Sequence, residues 1–321
     1  MNRACLMKME QARHATPTAA EAVNAWMEHM RAGRFTEAWS LNDALRGAAA
    51  IPSPVDIPRH LQSIWTGASV DGRRVLVRCY HGLGDTIQFI RYAPLLRERV
   101  ARLFVWVQPA LIPVLSSVEG VDALVPLHDG EPGVLHDVDI EIMELPYLFR
   151  TTVTSIPAAV PYLHVPPLPI HRNEALTVGL VWRAGGWAAH RSIPFAALEP
   201  ITSLPAACYV LQGLPGLDER PPGFGTVAGT HDLLELARVV RSVDLLITVD
   251  SMPAHLAGAL GTPVWTMLAA DADWRWMTGR ENTPWYPTMR LFRQERAGDW
   301  GPVVERVASE LRRVIAARSR S

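Results

Sequence analysis

Asp250-Ser251-Met252-Pro253-Ala254-His255 follows the run 243–249 (VDLLITV) and precedes 256–260 (LAGAL). The run is short, β-branched and nearly uncharged, which is the composition of a buried strand. Pro253 suits the first turn of a helix because it needs no amide partner there. Ser251 or Asp250 can cap that helix. Gly261-Thr262-Pro263 ends it, and 264–268 (VWTML) reads as a second strand. Strand, turn, helix and strand make a βαβ unit, whose first turn opens at the carboxyl edge of a parallel sheet. Free amides at such a helix start attract phosphate, while Asp250 and Ser251 acting purely as caps is the competing structural reading.

Outward from this unit the pattern repeats. The second half alternates from a strand at 176–182 through a helix near 195–204, a strand at 207–212 and a helix at 231–242, and closes with an amphipathic helix over 302–317. The first half opens with a strand at 74–80 and the turn His81-Gly82-Leu83-Gly84-Asp85, then a helix over 86–99 that Pro94 must kink or shorten. Strands follow at 103–107, 122–126 and 138–142. Such alternation predicts an α/β fold with mainly parallel sheets. The proline-rich stretch 164–172 (HVPPLPIHR) separates the halves. The expected domains are a helical hairpin at 1–50, an α/β domain at 51–168 and another at 169–321, with a cleft suited to a ligand. Two helices flank Ala32-Gly33-Arg34, and 51–58 reads as a linker.

With 49% hydrophobic and 20% charged residues, the 321-residue chain has a globular composition. Its net charge of −1 gives no electrostatic case for nucleic acid. Cys5, Cys79 and Cys208 form no CxxC pair, so neither a disulfide framework nor a zinc site is indicated, and a reducing cytoplasm is the expected setting. Residues 1–14 lack the apolar core of a signal peptide. The uncharged run 251–270 contains Pro253, His255, Gly258, Gly261 and Pro263, which favours a buried helix and strand over a membrane span.

The motif D-S-x-P-x-H-L-A-x-A-L-G-T-P-V at 250–264 resembles the donor-site motif of family 9 glycosyltransferases, the heptosyltransferase-like enzymes of bacterial surface polysaccharides. The resemblance covers roughly residues 70–315 and implies GT-B architecture, with two Rossmann-like domains. It implies that Asp250, Ser251, Met252 and His255 hold the diphosphate of a nucleotide sugar. The family's usual third residue is Gly, where Met252 stands here. On the acceptor side, His81, Gly82 and Gly84 form the glycine-rich turn. Asp85 is the candidate general base, able to take the acceptor hydroxyl's proton as the sugar carbon is attacked; the same residue also suits a helix cap. Arg191-Ser192-Ile193-Pro194 matches relatives that carry tetratricopeptide-like N-terminal segments. Either Arg191 or Arg183 is then placed to pair with donor phosphates, with Ser192 beside Arg191 on the donor side, and Gln212 to contact the nucleotide. Gly33 and 35–39 (FTEAW) resemble one tetratricopeptide hairpin, whose Trp26, Met30, Phe35 and Trp39 should pack on the main body or on another subunit.

Asp273-Trp274-Arg275-Trp276 and Trp285-Tyr286-Pro287 gather aromatic residues that suit either a nucleobase or sugar, or the pinning of the final helix. Asp137, Asp139 and Glu141 share one strand face but stand too far apart for one ion. No metal or cofactor is expected. The resemblance therefore implies an inverting glycosyltransferase acting in the cytoplasm or at the inner membrane surface. It would use a nucleotide sugar, with heptose among the candidates, and a glycan, lipid or protein acceptor. The alternatives are a non-catalytic GT-B protein that binds a nucleotide or partner, and a sugar-nucleotide epimerase.

Overall fold

The computed structural model describes residues 19–48, 59, 64–170, 175–214 and 216–320. The extension before residue 19 and the linker read at 51–58 lie outside the described residues. Helices α1 (Ala19–Arg31) and α2 (Phe35–Ala48) form a hairpin. It turns at Gly33, whose φ of 74° disfavours other residues.

The first sheet contains β1 (Arg74–Arg78), β2 (Arg102–Val107), β3 (Ala123–Pro126) and β4 (Val138–Glu141) in the order β3-β2-β1-β4. The second contains β5 (Thr177–Val181), β6 (Ala207–Val210), β7 (Thr226–Val227), β8 (Leu245–Val249), β9 (Val264–Leu268) and β10 (Met289–Arg293), in the order β10-β9-β8-β5-β6-β7. Every strand pair in both is parallel. Strands β5 and β8 are buried along their whole length, which explains their uninterrupted apolar sequence.

Helix α3 (Leu83–Phe89) follows β1. A single 3-10 turn over Ile90–Tyr92 and a short helix over Ala93–Arg97, with Pro94 in its first turn, replace the longer helix the periodicity suggested. Further on come α4 (Leu233–Val240), α5 (Met252–Leu260) and α6 (Gly301–Arg318). Strands β7 and β10 were not anticipated. Arg290 and Arg293 interrupt the apolar run of β10 (MRLFR), an edge strand, and break its period.

In each sheet the chain reverses its direction of winding once, between β1 and β4 and between β5 and β8. A crevice forms outside the carboxyl ends of strands at such a reversal. Both reversals face the same region, because one apolar core runs from the first sheet through Ile87 and Phe89 of α3 to Ala254 and Ala257 of α5. Phe35 and Trp39 of the hairpin belong to that core too. A second apolar core lies under α6, with Val303, Val304 and Val307. Residues 164–170 of the proline-rich stretch touch both halves, the His164 amide donating to Ser117 Oγ, and Leu168 accepting a hydrogen bond from Ser242 and donating its amide to the Arg238 carbonyl.

Candidate active site

On the side of the first sheet, the turn after β1 closes with Gly82 at the start of α3. Its amide donates to Asp85 Oδ2 at 3.0 Å, so the capping expectation for Asp85 holds. Next to it His81 Nδ1 lies 2.8 Å from Oε1 of Glu141, the last residue of β4. Glu141 is buried and also accepts from the amides of Tyr80 and Met143. Burial works against a charge on His81, but the Glu141 carboxylate outweighs it and raises the imidazole above its ordinary value.

On the side of the second sheet, β8 ends at Asp250 and Ser251, and α5 begins. Ser251 occupies the cap position, yet its side chain makes no capping hydrogen bond and donates instead to the Val249 carbonyl at 3.2 Å. Asp250 Oδ2 lies 3.2 Å from Arg191 Nη1. Neither side chain caps α5, which corrects the capping reading: a buried carboxylate is stabilised more by a guanidinium than by an amide. Burial raises the Asp250 carboxyl above its usual range, with Arg191 drawing it back. His255, one turn into α5, is buried with Nδ1 3.0 Å from the Tyr286 hydroxyl, and its ring stacks on Trp276. Burial and the nearby Arg275 push its imidazole down to about 3, so it is neutral at neutral pH. Gly258 makes room for that arrangement: a β-carbon there would meet the Tyr286 ring at 2.3 Å.

A third wall comes from the segment after β9. Arg275 is buried, with Nη2 2.7 Å from Asp85 Oδ1 and Nε 3.1 Å from Asp273 Oδ1. Burial favours a protonated Asp85, but the Arg275 charge holds its carboxyl below the usual range, with His81 adding to it. Trp274 stacks on Phe89 of α3, with ring centroids 6.2 Å apart. Together these walls enclose a cavity of about 500 Å3.

Of the residues singled out in the sequence, the cavity brings together His81, Gly82, Gly84, Asp85, Arg191, Asp250, Ser251, Met252 and His255. It does not include Arg183, Ser192 or Gln212. Arg183 forms a close ion pair with Glu219. Gln212 is buried, its Oε1 accepting from the amides of Trp182 at 3.1 Å and Arg183 at 2.9 Å, so it braces the β5 turn and lies off the cavity. Ser192 Oγ accepts from the Ala184 amide and does the same for the loop before Arg191. Asp273, Arg275 and Met143 also line the cavity, and Glu141 supports it from behind. The first two stand in the sequence as charges within an aromatic segment whose rings dominate its pattern. Those rings pin the N-terminal hairpin, through Trp26 and Phe35 against Trp274, and not the final helix as expected. Asp137 pairs with Arg74 and Asp139 with Arg78. Among the described residues, no group of three or more His, Cys, Asp or Glu is placed to hold a metal ion.

Residues 209–297, which contain β8, α5 and the Asp273–Arg275 wall, match the profile of Glycosyltransferase family 9 (heptosyltransferase). Protein FlbA of Caulobacter vibrioides is 26% identical over 323 residues, a match covering 87% of this chain. The chain spans about half of that curated relative, 53% of its length. Among solved structures, the glycosyl transferase family 9 protein of Veillonella parvula aligns with a TM-score of 0.55 at 14% identity, covering 78% of this chain and 98% of that one. The E. coli ADP-heptose lps heptosyltransferase II aligns with a TM-score of 0.55 at 13% identity, covering 77% and 99%. At these identities the likeness is one of fold, the mixed α/β GT-B architecture with parallel sheets.

Proposed function

We propose that the protein transfers a sugar from a nucleotide-diphosphate donor to a hydroxyl acceptor in one inverting displacement. The observation that carries this reading is the convergence of Asp85 from one half, and of Arg191 and the start of α5 from the other, on one cavity. At the start of α5 Pro253 has no N–H and the Ala254 amide donates to the Ser251 carbonyl, which leaves the amides of Ser251 and Met252 to meet a diphosphate, and Arg191 adds a guanidinium beside them. Asp85 takes the acceptor's proton as its oxygen bonds to the anomeric carbon and the bond to the diphosphate oxygen breaks. The charge left on the diphosphate is met by the same amides and by Arg191, with no metal required. The name of the E. coli neighbour makes ADP-heptose the first donor to test. A glycan, lipid or protein at the cytoplasmic side of the inner membrane supplies the acceptor. The hairpin is read as a single tetratricopeptide-like unit; with its aromatic face buried against the body, any self-association or partner contact would use the opposite face.

The test is Asp85→Asn, which keeps the side-chain shape and removes its basicity. Donor binding should persist while transfer falls by about a hundredfold or more. Near-normal transfer by the variant removes Asp85 from the mechanism. A protein that binds nucleotide without turnover would transfer nothing in either form, and the enzymatic reading would then fail.

A further inference from the structure

Inside the cavity, one ion pair joins the two halves of the molecule. Asp85 stands on the turn after β1 and Arg275 on the segment after β9. Both carboxylate oxygens of Asp85 are engaged, Oδ2 by the Gly82 amide at 3.0 Å and Oδ1 by Arg275 Nη2 at 2.7 Å. A carboxylate held in this way is a weak proton acceptor, which is at odds with the work of a general base. Arg275 is itself contested, since Asp273 lies 3.1 Å from its Nε and Asp250 adds to the field around it. The same cavity extends from this guanidinium to Ser251 and Met252 at the start of α5.

We propose that Arg275 is shared between Asp85 and the donor diphosphate, so that arrival of the donor draws the guanidinium away and leaves Asp85 a working base. The inference rests on the glycosyl-transfer reading and adds an order to it: the acceptor hydroxyl is deprotonated only once the donor is in place. A guanidinium fork pairs with phosphate as readily as with carboxylate, and a diphosphate carries more charge than the single carboxylate it competes with. The groups facing Asp85 are His81, itself on Glu141, from its own turn, His255 from α5, and Arg275. Asp273 and Asp250 act in turn on Arg275, and Arg191 pairs with Asp250. His255 is neutral, and Arg275 contributes the largest charge effect on Asp85. Once Arg275 turns to phosphate, the burial it had overruled acts on Asp85 and strengthens it as a base.

The experiment follows the Asp85 carboxyl by carbon-13 NMR in the full chain, its signal identified by its loss in Asp85→Asn. The carboxyl is titrated with and without a saturating nucleoside diphosphate, chosen from ADP, GDP, UDP and dTDP by calorimetry on the same preparation. The nucleotide should raise the titration midpoint by about one pH unit or more. In Arg275→Gln the midpoint should start high and no longer respond, with Arg275→Lys between the two. Binding without a shift in the wild-type protein overturns the sharing of Arg275 and leaves the donor site standing; this readout needs no variant of Arg275 to fold. Failure of all four nucleotides to bind overturns the donor site and, with it, this inference.

Discussion

Gly84 and His255 touch across the cleft: a β-carbon on Gly84 would lie 2.8 Å from Cδ2 of His255. The glycine belongs to the first turn of α3 and the imidazole to α5, so their contact sets how closely α3 and α5 approach. His255 cannot retreat, because its ring is stacked on Trp276 at 5.2 Å and its Nδ1 is tied to Tyr286. Gly84→Ala should therefore cost about 1–3 kcal/mol by overpacking. Its transfer rate should fall beyond what the loss of folded protein explains. An unchanged melting temperature would show that the two helices can part freely.

Arg183 and Arg191 were equivalent in the sequence and are separated by the fold. Arg191 lines the cavity beside Asp250, whereas Arg183 is paired with Glu219 away from it. Arg191→Lys should lower transfer by about a hundredfold, the scale of one preorganised charge donor. Arg183→Lys should alter melting temperature and leave turnover within a few-fold. The opposite ranking in paired kinetic and thermal measurements would move the phosphate contact to the β5 turn.

His255 makes stability depend on pH in one direction. Burial holds its imidazole down at about 3 in the folded chain, against 6.5 for the ordinary group. As pH falls below 6.5 the unfolded chain takes up a proton that the folded chain refuses. The contribution is thus complete above that pH and is lost progressively down to about 3. The slope is at most about 1.4 kcal/mol per pH unit. Between neutral pH and about pH 4.5, denaturant unfolding should show wild type losing stability faster than His255→Gln, which cannot titrate. Parallel curves would mean that His255 is solvated or charged in the folded protein.

Phe35 ties the hairpin to the cleft. Its buried ring lies 6.2 Å from Trp274 and 6.4 Å from Trp285, centroid to centroid. Trp274 immediately precedes Arg275, and the Thr278 amide beyond it donates to the Arg31 carbonyl of α1. Phe35→Ala should cost about 3–5 kcal/mol in the main unfolding transition. If the hairpin were an independent appendage, that transition would not move and only a minor early one would appear.

The residue order by itself determined the alternation of strands and helices, the glycine-rich turn after β1, the break at Pro94 and the span of β9. All of these follow from local period and turn chemistry, which neighbouring residues in the chain carry. It also exposed the two turns that meet in the cavity, because each pairs an apolar strand with an unusual helix start. Tertiary structure decided the partners of the charges. Whether Arg191 or Arg183 meets Asp250 depends on the β5–β8 neighbourhood and on Glu219 closing over Arg183. Whether Asp85 stands alone or against Arg275 depends on α3 packing on α5 and on the hairpin holding the Trp274 segment in place. Asp85 and Arg275 are 190 positions apart in the chain. No local pattern encodes a contact over that separation; it arises when two buried faces are forced together and their charges must find partners out of water.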